Sequence, residues 1–283
     1  MIDINQHLIY GVDDGAPDLA SSLAMAREAV ADGITRIVCT SHSSDAFPWQ
    51  QQLIDERFAE LRERLKDTIE LSLGCELHTT YENIEDATSH PLRYSFDGKG
   101  YLLIEFPNIS VPPQIDDSIF ELQAAGYTII IAHPERYPFL QQETERLANW
   151  MRKGCLVQVT AGSLYGRFGR AAEAFSNELL ERNWIHFLAT DGHHIKWRPP
   201  HLRKAFEYVK DRQGEEAARR LCLLNPQAAV DGAELPPQPD AIGLLEGKPL
   251  RFKPSKQRTA QSGNHADDGS PKGKSFFSRL FGR

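Results

Sequence analysis

Seven short β-rich runs, at residues 2–4, 34–40, 69–74, 101–106, 128–132, 156–160 and 185–190, alternate with helix-like segments along this chain. Such alternation predicts parallel strands joined by crossover helices. The run Thr128-Ile129-Ile130-Ile131-Ala132 is nearly continuous in apolar residues, as suits a strand covered on both faces. Between the runs, residues 19–31 read as an amphipathic helix ending at Asp32-Gly33, where the glycine can adopt a left-handed cap. The same ending recurs at 120–125 before Gly126 and at 150–153 before Gly154.

The residues just past each run bear on function. The first run leads into Asn5, His7 and then Asp13-Asp14-Gly15, the second into His42, and the third into Glu76. The fourth ends at Glu105, the fifth at His133, and the seventh at Asp191 and His193. In an α/β barrel these ends meet on one face, where such folds place their sites. Converging carboxylates repel one another unless cations neutralise them, so this pattern predicts a cluster of divalent metal ions.

The 283 residues suit one barrel plus a tail, and 41% hydrophobic content is enough for a sizeable core. A formal charge of -7 argues against nucleic acid as a partner. The N-terminus has neither a basic nor an apolar leader region, and no stretch is long and apolar enough to span a bilayer, so a cytoplasmic protein is expected. Cys39, Cys75, Cys155 and Cys222 are widely spaced and form no C-x-x-C pair, which reads as reduced, buried thiols.

The expected division is a barrel over 1–250 and, over 251–283, a flexible linker with a basic-aromatic end. Within residues 272–283, Phe276, Phe277, Leu280 and Phe281 fall on one side of a short helical stretch, with Lys274, Arg279 and Arg283 adding charge. That pattern suits peripheral contact with an anionic membrane.

The motifs Asp3-Ile4-Asn5-Gln6-His7, Val12-Asp13-Asp14-Gly15-Ala16, Thr40-Ser41-His42, Gly74-Cys75-Glu76, Leu103-Ile104-Glu105-Phe106-Pro107, His133-Pro134-Glu135-Arg136-Tyr137, Thr190-Asp191-Gly192-His193-His194 and Arg198-Pro199-Pro200 occur in that order. Together they resemble the polymerase-and-histidinol-phosphatase superfamily. More narrowly, they resemble its bacterial manganese-dependent protein-tyrosine phosphatases of capsule and exopolysaccharide regulation. The likeness runs from Met1 to about Pro226. It implies a distorted TIM-like (β/α)7 barrel holding up to three ions, most naturally Mn2+, with Fe, Zn or Mg as alternatives. It also implies the ligands: His7, Glu76, Asp191 and position 5 for one ion, Glu76, Glu105 and His133 for a second, Asp14, His42 and His193 for a third.

Mixed imidazole and carboxylate donors suit such ions independently. One departure stands out, because Asn5 occupies the place of the first histidine in the family's His-x-His pair. An asparagine carbonyl holds Mn or Mg more readily than Zn, so the first ion should bind more weakly. Asp3 and Asp13 are candidates for orienting the ligand histidines. Arg136 and Arg198 are expected to clamp phosphate oxygens, and His193 or His194 to assist proton transfer.

The expected activity is hydrolysis of phosphotyrosine on a protein, with a bacterial tyrosine kinase of polysaccharide export as partner. A small-molecule phosphatase of the histidinol-phosphate kind is an alternative. So is a regulatory phosphotyrosine-binding protein weakened by Asn5. Oligomeric state is left open.

Overall fold

The computed structural model describes residues 1–107 and 114–244. The boundary expected at 250 and the basic-aromatic segment 272–283 lie outside the described residues. Nine strands are present among the described residues: β1 (Ile2–Gln6), β2 (Arg36–Cys39), β3 (His42–Ser43), β4 (Glu70–Leu73), β5 (Glu76–His78), β6 (Tyr101–Glu105), β7 (Thr128–Ala132), β8 (Leu156–Thr160) and β9 (Phe187–Ala189). Every pairing between them is parallel. The chain is therefore α/β with parallel sheets, as expected.

The difference from seven runs has a local cause. The second and third runs end early, at Cys39 and Leu73, and the chain resumes as the short strands β3 and β5. Pairing carries across the break, with Gly74 N donating to Cys39 O (2.9 Å) and Glu76 N to Ser41 O (3.2 Å). A side chain at Gly74 would stand 2.7 Å from the Phe96 ring and 2.9 Å from Val38, so close packing of backbone on core requires glycine there.

The ladders consequently form two sheets, β1-β2-β4 and β3-β5-β6-β7-β8-β9, rather than one closed barrel. Between β1 and β9 the join is an isolated parallel bridge, Gln6 with Gly192. Asp191 N donates to Asn5 O and His7 N to Gly192 O there, each at 2.9 Å.

The helices obey the punctuation read from sequence. Leu19–Asp32 starts at Asp18, whose side chain accepts from Ser21 N, and stops at Gly33 with φ 95°. The helices Ile115–Ala124 and Thr144–Arg152 likewise end just ahead of Gly126 and Gly154, both at positive φ. All four cysteines are free and buried. No helix among the described residues is long and apolar enough to cross a membrane.

Two apolar layers result. Helices pack on the outside of the sheets, while Ile2, Ile4, Val38, Tyr101, Leu103, Ile130, Ala132, Phe187 and Ala189 fill the inside with Phe96 and the helix Asn225–Asp231. Inward side chains recur every second residue, so Glu105 stands one step above Leu103 on the inner face. The charged cluster thus caps an apolar floor.

One half-buried contact gives a stability prediction. His186 Nδ1 accepts from Val157 N (3.1 Å), and burial, aided by the nearby Arg220 charge, lowers its pKa to about 4. The folded value lies below the unfolded one of about 6.5, so the neutral ring favours folding above pH 6.5 or so. As pH falls toward about 4, the unfolded chain takes up the proton first and the advantage is lost. Urea denaturation should show wild type losing about 1–2 kcal/mol more than His186→Gln between about pH 7.5 and pH 5. Equal losses would show that this ring does not titrate with unfolding.

Candidate metal centre

His7 is fixed from two sides. A side chain at Gly15 would stand 2.4 Å from the His7 Cβ and carbonyl oxygen, so the glycine lets the Asp13-Asp14 turn lie directly on that residue. Asp13 Oδ2 then sits 2.9 Å from His7 Nδ1 and also accepts from His42 N (3.0 Å), while Oδ1 accepts from Gly15 N. Asp13 therefore sets the His7 tautomer and leaves Nε2 facing inward. Asp3 does not orient a histidine, contrary to expectation. It accepts from Thr190 N (2.9 Å) and Thr190 Oγ1 (2.5 Å), pinning the β1–β9 join just before Asp191. Burial raises its pKa to about 7 against these hydrogen bonds.

Glu76 lies at the middle of the cluster and is fully buried. Its Oε1 is 3.0 Å from His133 Nε2, and its Oε2 lies 3.2 Å from His7 Nε2 and 3.5 Å from His42 Nδ1. Glu105 approaches His42 Nδ1 (3.2 Å) and His133 Nε2 (3.5 Å). Asp14 Oδ1 lies 3.4 Å from His42 Nε2 and 3.5 Å from His193 Nε2. Asp191 Oδ1 lies 3.6 Å from His7 Nε2 and 3.5 Å from His193 Nδ1.

Three groups have ligand atoms within 4.8 Å of one another: His7-Asp14-His42-His193, His7-Glu76-Asp191 and His42-Glu76-Glu105. All eight histidines and carboxylates singled out as ligands from sequence thus converge. His133 reaches the last group through its contacts with both glutamates.

Asn5 is placed differently from a ligand. Thr40 Oγ1 accepts from Gln6 N (3.0 Å) and donates to Asn5 Oδ1 (2.8 Å), which turns the amide nitrogen inward. Asn5 Nδ2 donates to Glu76 Oε1 (2.9 Å) and Gln158 Oε1 (3.4 Å). A carboxylate partner requires the amide donor on that side, and an N–H group offers a cation no lone pair. The expected carbonyl ligand is therefore not presented.

Electrostatics favour cations in the pocket. Burial opposes the charge on His7, but Asp13 and Glu76 outweigh it and raise its pKa to about 10. Burial likewise opposes ionisation of Glu76, yet the neighbouring histidines hold its pKa well below the usual carboxylate range. His42 Nδ1, His193 Nε2 and Asp191 Oδ1 are buried and lack hydrogen-bond partners, although charged groups surround them. Carboxylate oxygens and imidazole nitrogens converging in this way fit divalent ions, which these side chains would hold, with Glu76 shared between two of the groups.

Arg136 Nη1 and Arg198 Nη2 both contact Asp191 Oδ2, at 2.7 and 2.5 Å. Each guanidinium keeps further N–H groups at the edge of the cluster, and Arg136 is flanked by the Phe168 ring at 5.1 Å. His193 belongs to the cluster, whereas His194 stacks on Trp197 with centroids 4.0 Å apart. His133 and Asp191 have φ of 33° and 53°, an uncommon strain that functional sites tolerate. Thr40, Gln158 and Glu135 carry roles that the sequence alone does not assign. Glu135 Oε1 accepts from Thr160 N and Ser163 Oγ, fixing the turn after β8. Strand parity could have found Gln158, two residues beyond Leu156 on the inner face.

The sequence profile of the family described as "Capsular polysaccharide synthesis, CpsB/CapC" matches residues 1–231. Among curated relatives, the tyrosine-protein phosphatase YwqE of Bacillus subtilis is 36% identical over 253 residues, covering 84% of this chain and 96% of its own. The tyrosine-protein phosphatase CpsB of Streptococcus pneumoniae is 28% identical over 239 residues, covering 81% of this chain and 98% of its own. A solved structure reported with YwqE and CpsB as metal-dependent tyrosine phosphatases superposes with TM-score 0.77 at 34% identity, over 84% of this chain and 99% of that one. A lactonase from Listeria monocytogenes shares the fold alone, with TM-score 0.56 at 10% identity. The chain belongs to the CpsB/CapC family of capsular polysaccharide synthesis.

Proposed function

We infer that this chain is a metal-dependent protein-tyrosine phosphatase. The observation that carries the reading is the buried cluster in which Glu76 joins two groups of metal-capable side chains, with two arginines on its rim. Bound divalent ions supply Lewis acidity toward phosphoryl oxygens and activate water near neutral pH. His7, His42, His133 and His193 with Asp14, Glu76, Glu105 and Asp191 would hold them. The mixed oxygen and nitrogen donors suit manganese well, and proteins named as tyrosine-protein phosphatases match this chain over most of its length and in fold.

The remaining N–H groups of Arg136 and Arg198 would orient the phosphoryl group, with Asp191 holding both guanidiniums in place. A phenol of pKa about 10 leaves without a strong general acid, so no such residue is required. A cysteinyl-phosphate route has no support, because all four cysteines are buried and burial raises the pKa of each thiol.

Membership of a capsule-synthesis family supports a tyrosine kinase of the polysaccharide export machinery as the substrate, with a cytoplasmic site of action as part of the same reading. Stripped protein should regain hydrolysis of a phosphotyrosine peptide on adding Mn2+, with little activity on histidinol phosphate. The reverse preference would make it a small-molecule phosphatase. Peptide binding without turnover at saturating metal would make it a phosphotyrosine-binding protein.

A further inference from the structure

Beside the cluster lies a cavity of about 190 Å³ whose wall includes Arg167, Arg198 and Lys204, together with Tyr165, Phe168 and Asp32. Arg198 belongs to both places, because its Nη2 is 2.5 Å from Asp191 Oδ2. Asp32 is the one carboxylate among the lining residues, against the cations of Arg167, Arg198 and Lys204. Asp32 is engaged through Oδ2 by the amides of Leu202 (2.5 Å) and Arg203 (2.7 Å), where the helix Arg203–Gln213 begins.

Arg167 is held by the carbonyl of Trp197, which orients the guanidinium without neutralising it. Lys204 Nζ rests 4.0 Å from the centre of the Tyr165 ring. Among the described residues, neither Arg167 nor Lys204 has a carboxylate within ion-pair distance. In a chain of net charge -7, two unpaired cations share a cavity with an arginine of the catalytic rim.

We propose that this cavity is an accessory subsite for an acidic group flanking the phosphotyrosine of the substrate. Either a carboxylate or a second phosphoryl group would meet the same chemistry, convergent N–H donors and positive charge. The proposal rests on the phosphotyrosine reading above. Arg167 and Lys204 are exposed, so the effect should be modest and salt-sensitive.

The test uses the Mn-loaded full chain and phosphotyrosine peptides of otherwise neutral sequence. Glutamate, or a second phosphotyrosine, replaces alanine at successive positions on each side. At one or two positions KM should fall about three- to tenfold with kcat little changed, more for the phosphoryl group because it carries nearly two charges. Lys204→Gln and Arg167→Ala should each reduce the preference and together remove it, while Arg167→Lys should keep it. All variants should hydrolyse p-nitrophenyl phosphate like wild type, because that substrate has no flanking group. If no position responds, or if the double variant keeps the preference, the subsite is overturned. Failure of wild type to hydrolyse p-nitrophenyl phosphate would instead strike the phosphatase reading. The subsite would then stand or fall on whether the Kd of the same labelled peptides shows the same pattern.

Discussion

Glu76→Gln is expected to lower phosphotyrosine turnover by at least about a thousandfold, equivalent to about 4 kcal/mol of barrier, and to reduce bound metal. The change is nearly isosteric, and a glutamine oxygen can still accept from Asn5 Nδ2, so the fold should survive. The loss is of the buried negative charge within reach of His7, His42 and His133. Glu76 belongs to two of the three candidate groups, so its loss weakens both together. A neutral amide oxygen is a weaker donor to divalent cations than a carboxylate and does not offset their charge at a fully buried position. Elemental analysis beside kcat tests this. Full metal content with activity within tenfold of wild type would mean that the cluster is not the catalytic centre.

Much of this cluster was legible because metal ligands are chemically conspicuous and strand ends are easy to place. The alternation of runs located Glu105 and His133 at the ends of β6 and β7, where side-chain parity alone turns Glu105 inward. Other features depend on contacts distant in sequence. The break of the second and third runs reflects Phe96, from well down the chain, pressing on Gly74. The role of Asp3 needed the seam with β9, since its partner Thr190 lies at the other end of the barrel sequence. The left-handed backbone at His133 and Asp191 has no local signal, because neither residue is glycine. Both strained residues are held by the surrounding cluster rather than by propensity.

Asn5 shows how a ligand expected from spacing can be redirected by its neighbours. Position 5 does face Glu76, as the spacing to His7 implied. The hydroxyl of Thr40, however, takes the amide oxygen and leaves only the N–H group pointing inward. An imidazole there would offer a lone pair beside His7, Glu76 and Asp191, and would replace a donor that currently occupies one Glu76 oxygen. Asn5→His is therefore expected to tighten Mn2+ at that group by about 10- to 100-fold, the scale on which ligand-sphere changes alter affinity. The Mn2+ needed for half-maximal activity should fall by a similar factor, and saturating metal should narrow the difference in turnover. Calorimetric titration separates affinity from stoichiometry without relying on catalysis. Asn5→Ala serves as the control, since it removes the donor without adding a ligand and should not tighten binding. If Asn5→His and wild type bind the same number of ions with the same affinity, position 5 lies outside the metal-binding sphere, and its amide serves only to hold Glu76.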